Sequence, residues 1–488
     1  MSFIEIGVDP EVVRGLDELG FVTPSPVQEK VIPAVLGADG DWISLAQTGT
    51  GKTAAFGIPL IQKMDIASPA TQALVLCPTR ELCVQVARDI ERFGKYIAGL
   101  NVLAVYGGAR MDTQITALRR GVHIIVATPG RLQDLMNRGA ADITGITTVV
   151  LDEADEMLNM GFQEEISAIL AATPDQKSTL LFSATMSRGV KTIANRYMTD
   201  AREIVIGERN SGAENVQHHY YMVRAQHRFS ALKRIVDLHP EIYGIIFCRT
   251  RQETQEVADS LVADGYQADA LHGELSQAQR DQVMGKFRRK ALQLLVATDV
   301  AARGVDVNDL THVINYNLPD ELAGYTHRSG RTGRAGKGGI SISIIHQKEG
   351  WKVKAIERNI NKSFKRCRVP SGREVCDNQI MHRIALMLAG DIDQTPIEPL
   401  LPALREKLAA LDRDELIRRF VALEAKRFID DYRYAPDLNV DEQAKGPGQK
   451  KRRDDGRRND RTRFTRFHIN VGKNDGMAPE RLISIINK

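Results

Sequence analysis

Residues 46–53 read Ala46, Gln47, Thr48, Gly49, Thr50, Gly51, Lys52, Thr53, after the apolar run DWISL and before AAFGIPLIQ. A strand, a glycine-containing turn and a helix start therefore arrive in the order that lets backbone N–H groups at a helix N-terminus cradle a polyphosphate. Gly49 and Gly51 free the backbone to face phosphate. Lys52 has the reach for β- and γ-phosphates, and the Thr53 hydroxyl suits a magnesium ion. The first position is alanine where the general pattern has glycine. Farther on, VVLDEAD sets Asp152 and Glu153 just past an apolar strand, where a second carboxylate site for magnesium and water is needed. Asp152 would hold the ion, partly through its waters, and Glu153 would polarise the attacking water. A lone acidic pair would read as a helix N-terminus favoured by the macrodipole, but a phosphate loop upstream argues for chemistry.

The elements that must position these groups are legible as rhythm. DWISLA, ALVLCP, NVLAVYG, HIIVAT, TTVVLDEAD, TLLFSAT and EIVIG alternate with helical stretches, the signature of a parallel α/β sheet covered on both faces. HHYYMV, GIIFCR, QADALHG, LQLLVATD, HVINYN and GISISII restart the pattern. The domains expected are 1–206 and 216–370, with the polar segment 207–215 as a hinge. Over 371–440 strands give way to three amphipathic helices. Their repeats are Ile380, Ile384, Met387 and Leu388; Leu401, Leu404, Leu408 and Leu411; and Leu416, Phe420 and Leu423, with Asp412 and Glu415 as a capping-box-like start. So few residues bury little alone, so the stripes should dock on the second α/β domain or pair with a second copy, giving a homodimer.

With both motifs in hand the chain resembles the DEAD-box ATP-dependent RNA helicases from residue 3 to about 345. The resemblance implies two tandem RecA-like domains, ATP and Mg2+ as cofactors, and RNA as partner. GFVTPSPVQ, residues 20–28, resembles the adenine-reading Q motif; Gln28 would read the base and Phe3 would be the upstream aromatic. Pro78 and Arg80 in PTRELC, the pair Gly107 and Gly108, and Thr128 and Arg131 in TPGR resemble RNA-contacting elements. Ser183 and Thr185 in SAT resemble the link between hydrolysis and strand separation, with Asp155 and His327 as its partners. IIFCRT, HGELSQAQR, VATDVAARGVD and HRSGRTGR come next in family order. They imply RNA contacts at Arg249, Thr298 and Arg303, a ribose contact at Asp306, and arginine fingers at Arg331 and Arg334 that stabilise charge on the transferring phosphoryl group. Arg249 stands where asparagine is common in the family and Ser329 where isoleucine is common. The implied activity is RNA-stimulated ATP hydrolysis that locally unwinds short duplexes, in ribosome assembly, RNA decay or cold adaptation. Two alternatives are an ATP-gated RNA clamp without unwinding, and a DNA translocase, which the Q motif and SAT disfavour.

The charge balance sharpens the partner. The chain carries +4 overall over 488 residues, yet residues 445–466 hold ten Lys or Arg against three Asp. That local +7 lies in a Gly/Arg/Asp-rich stretch that cannot bury a core, so 441–463 reads as a disordered linker: a solubilising spacer, or an arm gripping phosphates. Residues 464–488, opening on FTRFHINVGKNDG, resemble the start of an RRM-like RNA-binding domain, as in the cold-shock and ribosome-assembly branch of the family. One strand and one helix cannot fold alone, so this looks like a truncated or degenerate unit. Five cysteines without a CxxC pair fit neither a disulfide framework nor a zinc site. With no long apolar run and no leader-like opening, a cytoplasmic protein without membrane contact is expected.

Overall fold

The apolar runs become strands. In this computed structural model, which describes residues 1–46, 49–206, 215–302, 307, 310–333, 337–389 and 396–440, the first lobe holds seven. They are β1 (Trp42–Leu45), β2 (Ala73–Leu76), β3 (Val102–Val105), β4 (Ile124–Ala127), β5 (Thr148–Leu151), β6 (Ser178–Ser183) and β7 (Arg202–Val205). All pair in parallel in the order β3-β4-β2-β5-β6-β1-β7. Successive side chains of a strand point to opposite faces, and here both faces are buried. Ala73 and Val75 join one core with Ile124, Val126 and Val150, while Leu74 and Leu76 join the other with Ile125, Ala127 and Leu151.

The second lobe repeats this plan. Its strands are β8 (Val216–Met222), β9 (Gly244–Cys248), β10 (Ala268–Leu271), β11 (Leu294–Thr298), β12 (His312–Asn315), β13 (Gly339–Ile345) and β14 (Lys365–Cys367), ordered β10-β11-β9-β12-β13-β8-β14. Shifted by seven, this is the order of the first sheet. Every run read as a strand in the two lobes corresponds to one. The sequence reading missed β14, a three-residue edge strand whose Lys-Arg-Cys has no apolar period.

The strand order decides what can meet at the C-terminal rim, where ligands bind in parallel α/β sheets. In the first lobe the ends of β5, β6 and β1 are neighbours, and so are those of β3, β4 and β2. The first trio carries the phosphate-binding candidates and the second carries the RNA-contacting ones.

After the second lobe come helices Gly372–Ala389, Leu401–Leu408 and Arg413–Tyr432, the last capped by Asp412, whose side chain accepts from Glu415 N at 2.7 Å. The module docks on the second lobe. Lys233 Nζ lies 2.8 Å from Asp431, Arg234 donates to Pro436 O at 2.7 Å, and Tyr432 Oη donates to Asp237. The buried docking residues include Val375, Gln379, Phe428 and Tyr432, at the base of the helix pair. The stripes singled out from periodicity lie elsewhere: Met387, Leu388, Leu401, Leu404, Leu416, Phe420 and Leu423 are exposed, because the helices project beyond the lobe they rest on. The hinge apart from Asn215, the basic linker and the RRM-like segment lie outside the described residues.

Candidate functional site

Gly51 closes the phosphate loop with φ 93°, and a side chain there would also collide: a Cβ would stand 2.5 Å from Gln28 Nε2 and 3.1 Å from Ser25 Oγ. Glycine is thus required twice over, by conformation and by space. Gln28 Nε2 donates to Gly51 O at 3.1 Å, its Oε1 accepts from Ser25 N at 2.8 Å, and Ser25 Oγ donates to Thr50 O at 2.8 Å. The Q-motif glutamine is therefore built into the wall of the loop. Phe3, 2% exposed, packs in the first-lobe core, so its ring offers no open face in this arrangement.

Lys52 begins helix Lys52–Gln62, held against β6 by the Phe56–Phe182 ring pair at 5.2 Å. Its ammonium is buried and has no hydrogen-bond partner among the described residues. A buried, unpaired ammonium is costly unless an anion completes it, so the cradle fits a polyphosphate. Gln47 and Thr48 fall outside the described residues.

Asp152 follows β5 and is buried, its N–H bonded to Leu76 O at 2.9 Å. Burial pushes its carboxyl up to about 7, against the pull of the Lys52 ammonium. A cation beside it would reverse that shift. Asp152 and Thr53 would supply only two protein ligands, a sparse set that would suit Mg2+, an ion that keeps its waters and binds phosphate oxygens. Among the described residues no cluster of three or more His, Cys, Asp or Glu could hold a metal by itself. Glu153 stands at φ 49°, ψ 50°, a left-handed backbone that L-residues adopt at a cost of about 1–2 kcal/mol. Its Oε2 is buried without a partner among the described residues. Strain plus a carboxylate oxygen with no described partner at the end of the strand mark Glu153 as a candidate functional group.

Asp155 ties this strand end to the next. Its Oδ2 accepts from Thr185 Oγ1 at 2.7 Å and from Thr185 N at 2.9 Å, while Ser183 Oγ donates to Thr185 O at 2.7 Å. From the second lobe His327 Nε2 approaches Asp155 at 3.6 Å and Glu156 at 3.2 Å. Burial alone would raise Asp155, but the nearby His327 ring and the Thr185 hydroxyl hold it well below the carboxylate range. Burial likewise disfavours the imidazolium, yet Asp155 and Glu156 prevail and raise His327. All four proposed coupling residues therefore meet at one point between the lobes.

On the other half of the rim, the Arg80 guanidinium lies over Gly108, where a Cβ would fall 2.1 Å from Nη1 and φ is 86°. Gly107 flanks it. Arg131 Nη1 braces the same loop through Ala109 O at 3.3 Å and Gln114 Oε1 at 3.2 Å. Pro78 and Thr128 are buried at the ends of β2 and β4, beside these groups. In the second lobe Arg249, after β9, is half-exposed, and Thr298 ends β11. Arg331 is buried and lines a cavity of about 180 Å3 with Glu156 and Asn159 of the first lobe and His327 and Arg328 of its own. Arg303, Asp306 and Arg334 lie outside the described residues.

Several participants escaped the sequence reading. Arg280 Nη2 pairs with Glu81 at 2.8 Å across the lobes, both side chains 16% exposed, and Arg80 Nη1 donates to Gln277 Oε1 at 2.8 Å. Arg328, buried, holds Asp299, Asn315 Oδ1 and the Asn317 carbonyl, which fixes the helix that carries His327. HGELSQAQR had marked the segment of Gln277 and Arg280, but nothing in spacing pairs residues 199 positions apart.

Three family descriptions match the chain: DEAD/DEAH box helicase over residues 25–193, helicase conserved C-terminal domain over 227–336, and the helical domain of a probable ATP-dependent RNA helicase over 375–433. The chain is 43% identical to the DEAD-box ATP-dependent RNA helicase CshA of Geobacillus kaustophilus, over 79% of this chain and 82% of that protein. It is 37% identical to the ATP-dependent RNA helicase DeaD of Mycobacterium tuberculosis, over 99% of this chain and 85% of that one. Among solved structures it is similar to Saccharomyces cerevisiae Dbp5 bound to RNA and ADP BeF3, at 29% identity, TM-score 0.71, covering 78% of this chain and 99% of that one. It is also similar to Mss116p bound to ssRNA and AMP-PNP, at 26% identity, TM-score 0.69, covering 88% and 91%.

Proposed function

Because the chain belongs to the DEAD-box ATP-dependent RNA helicases, enzymes that hydrolyse ATP, we propose that its residues divide the work between two lobes that close on ATP and RNA together. Lys52 and the Gly49–Gly51 turn bind the phosphates. Thr53 and Asp152 hold Mg2+, which when bound offsets phosphate charge. Glu153 orients and deprotonates the attacking water, and Arg331, with Arg334, meets the charge that develops on the γ-phosphoryl oxygens. Arg80, Gly107, Gly108, Thr128 and Arg131 on one lobe, and Arg249, Thr298 and Arg303 on the other, grip one RNA strand by its backbone. Such contacts carry little sequence information. The substrates we favour are short duplexes in structured ribosomal or messenger RNA, in the cytoplasm. The open leucine face of the helical module is the surface through which a second copy would pair.

One observation carries this reading: a buried ammonium with no hydrogen-bond partner among the described residues, at Lys52, sits beside the strand end whose Asp155 and Glu156 are reached by His327 of the other lobe. Nucleotide chemistry and lobe closure thus share one point. The experiment is strand displacement on a short tailed RNA duplex with ATP, comparing the unaltered chain with Lys52→Ala. Displacement by the former and none by the latter is expected. RNA-stimulated ATP turnover without displacement would make the protein a clamp, and normal turnover by Lys52→Ala would refute the phosphate assignment.

A further inference from the structure

Helix Gly350–Ile360 has one face in the core and one in water. Val353, Ile356 and Ile360 are buried with Leu318, Tyr325 and Phe364. Trp351, Lys354 and Arg358, at the same i, i+3, i+7 spacing, face out, and Trp351 is 66% exposed, unusual for the largest apolar side chain. Lys348 is exposed one turn ahead of Trp351. None of Lys348, Lys354 and Arg358 is ion-paired with a described residue. The acids nearby are already engaged: Glu349 with Arg228 at 3.0 Å, and Glu357 with the Phe364 N–H at 2.7 Å. The outer face is thus a row of cations around an indole, with no described acid ion-paired to it.

The helix borders the cleft. Asp320, which lines the cavity between the lobes, lies 3.5 Å from Arg249 and 3.6 Å from Lys352, the neighbour of Trp351. We propose that helix Gly350–Ile360 is an accessory site for single-stranded nucleic acid, in which Trp351 stacks on a base and Lys348, Lys354 and Arg358 hold the adjoining phosphates of RNA leaving the cleft past Arg249. An aromatic platform flanked by cations is the chemistry that binds single strands without sequence preference. The site rests on the RNA-cleft reading above and lengthens its path. A single indole gives too little apolar area for a membrane surface, and a bare cationic row would not need the ring.

The test uses the full chain, a non-hydrolysable ATP analogue and two oligouridylates: the shortest that fully stimulates the unaltered ATPase, and one extended at both ends. Trp351→Ala should weaken binding of the long strand about tenfold and leave the short strand and its ATPase stimulation unchanged. Trp351→Phe should retain most of the affinity. The triple alanine variant at Lys348, Lys354 and Arg358 should flatten the salt dependence for the long strand only. Unchanged binding of the long strand by Trp351→Ala, or equal losses on both strands, would overturn the site. So would displacement of the long strand's extra affinity by polyglutamate, which would mark an acidic protein as the occupant. Failure of even the short strand to stimulate the unaltered enzyme would sink the cleft reading and this one with it.

Discussion

Glu153 is strained in the left-handed region and ends in a carboxylate with one oxygen unpaired among the described residues, so its role can be separated from that of its neighbours. Glu153→Gln keeps the size and loses the basicity. ATP and RNA should stay bound together while turnover falls by two orders of magnitude or more, about the loss expected when a water-activating group is removed, read by single-turnover hydrolysis and by filter retention of labelled RNA. Brisk turnover would take Glu153 out of that role. His327 adds a pH signature. Its partners raise its affinity for protons when the lobes meet, so the interlobe pairing is complete below the ordinary histidine range near about 6.5 and is lost as pH rises through the raised value. RNA-stimulated ATPase should therefore decline on the alkaline side with a step that His327→Ala removes; an identical profile in the variant would contradict it. At this scale the sequence was informative where chemistry is contiguous, as from Ala46 to Thr53 and from Asp152 to Asp155. It was silent where chemistry is assembled by folding, as at Glu81, Gln277 and Arg280, and it held no sign that Gln28 would brace the phosphate loop.

Between elements, the Glu81–Arg280 pair joins the helix after β2 to helix Gln277–Arg288 of the other lobe. Both side chains are largely desolvated, so removing one strands the other in a low-dielectric seam. Arg280→Glu should reduce RNA-stimulated ATPase about tenfold, and Glu81→Arg combined with it should restore much of the loss; additive losses would show that the pair does not hold the lobes. A second element-scale effect belongs to the interior of the second lobe. Burial lowers His218 to about 4, and burial together with His239 and His219 lowers His312 to about 3. Both depressed values mean stability that is intact above the unfolded value near about 6.5 and is lost as pH falls through the folded values. Thermal melting should show the second lobe weakening first on acidification, and His312→Phe should blunt that trend; equal acid sensitivity would contradict it. Strands were readable here because a parallel sheet buried on both faces must be written as apolar runs. Only β14 escaped, since an edge strand of three residues needs no such run. The docking faces of the helical module escaped for the opposite reason: its apolar repeats are real but most face away from the lobe, while Gln379 and Tyr432, which do dock, are polar and aromatic.

Over the whole molecule, two sheets with the same strand order present their C-terminal rims to a shared seam, where Asp155, Thr185 and His327 join the rim that carries the phosphate-binding candidates to the other lobe. That symmetry was foreshadowed by the restarted β-run rhythm. Its consequence was not, because which residues cross the seam depends on how the lobes meet. On the proposed division of the site, each ligand would gain its full set of contacts only when both lobes meet, so closure should require ATP and RNA jointly. The direct measurement is energy transfer between dyes at exposed positions of the two lobes, Glu164 and Asp259, in the full chain. High transfer is predicted only with a non-hydrolysable ATP analogue and RNA together, with Lys52→Ala remaining in the low-transfer state. High transfer with neither ligand or with one alone, or no change when both are added, would contradict the account.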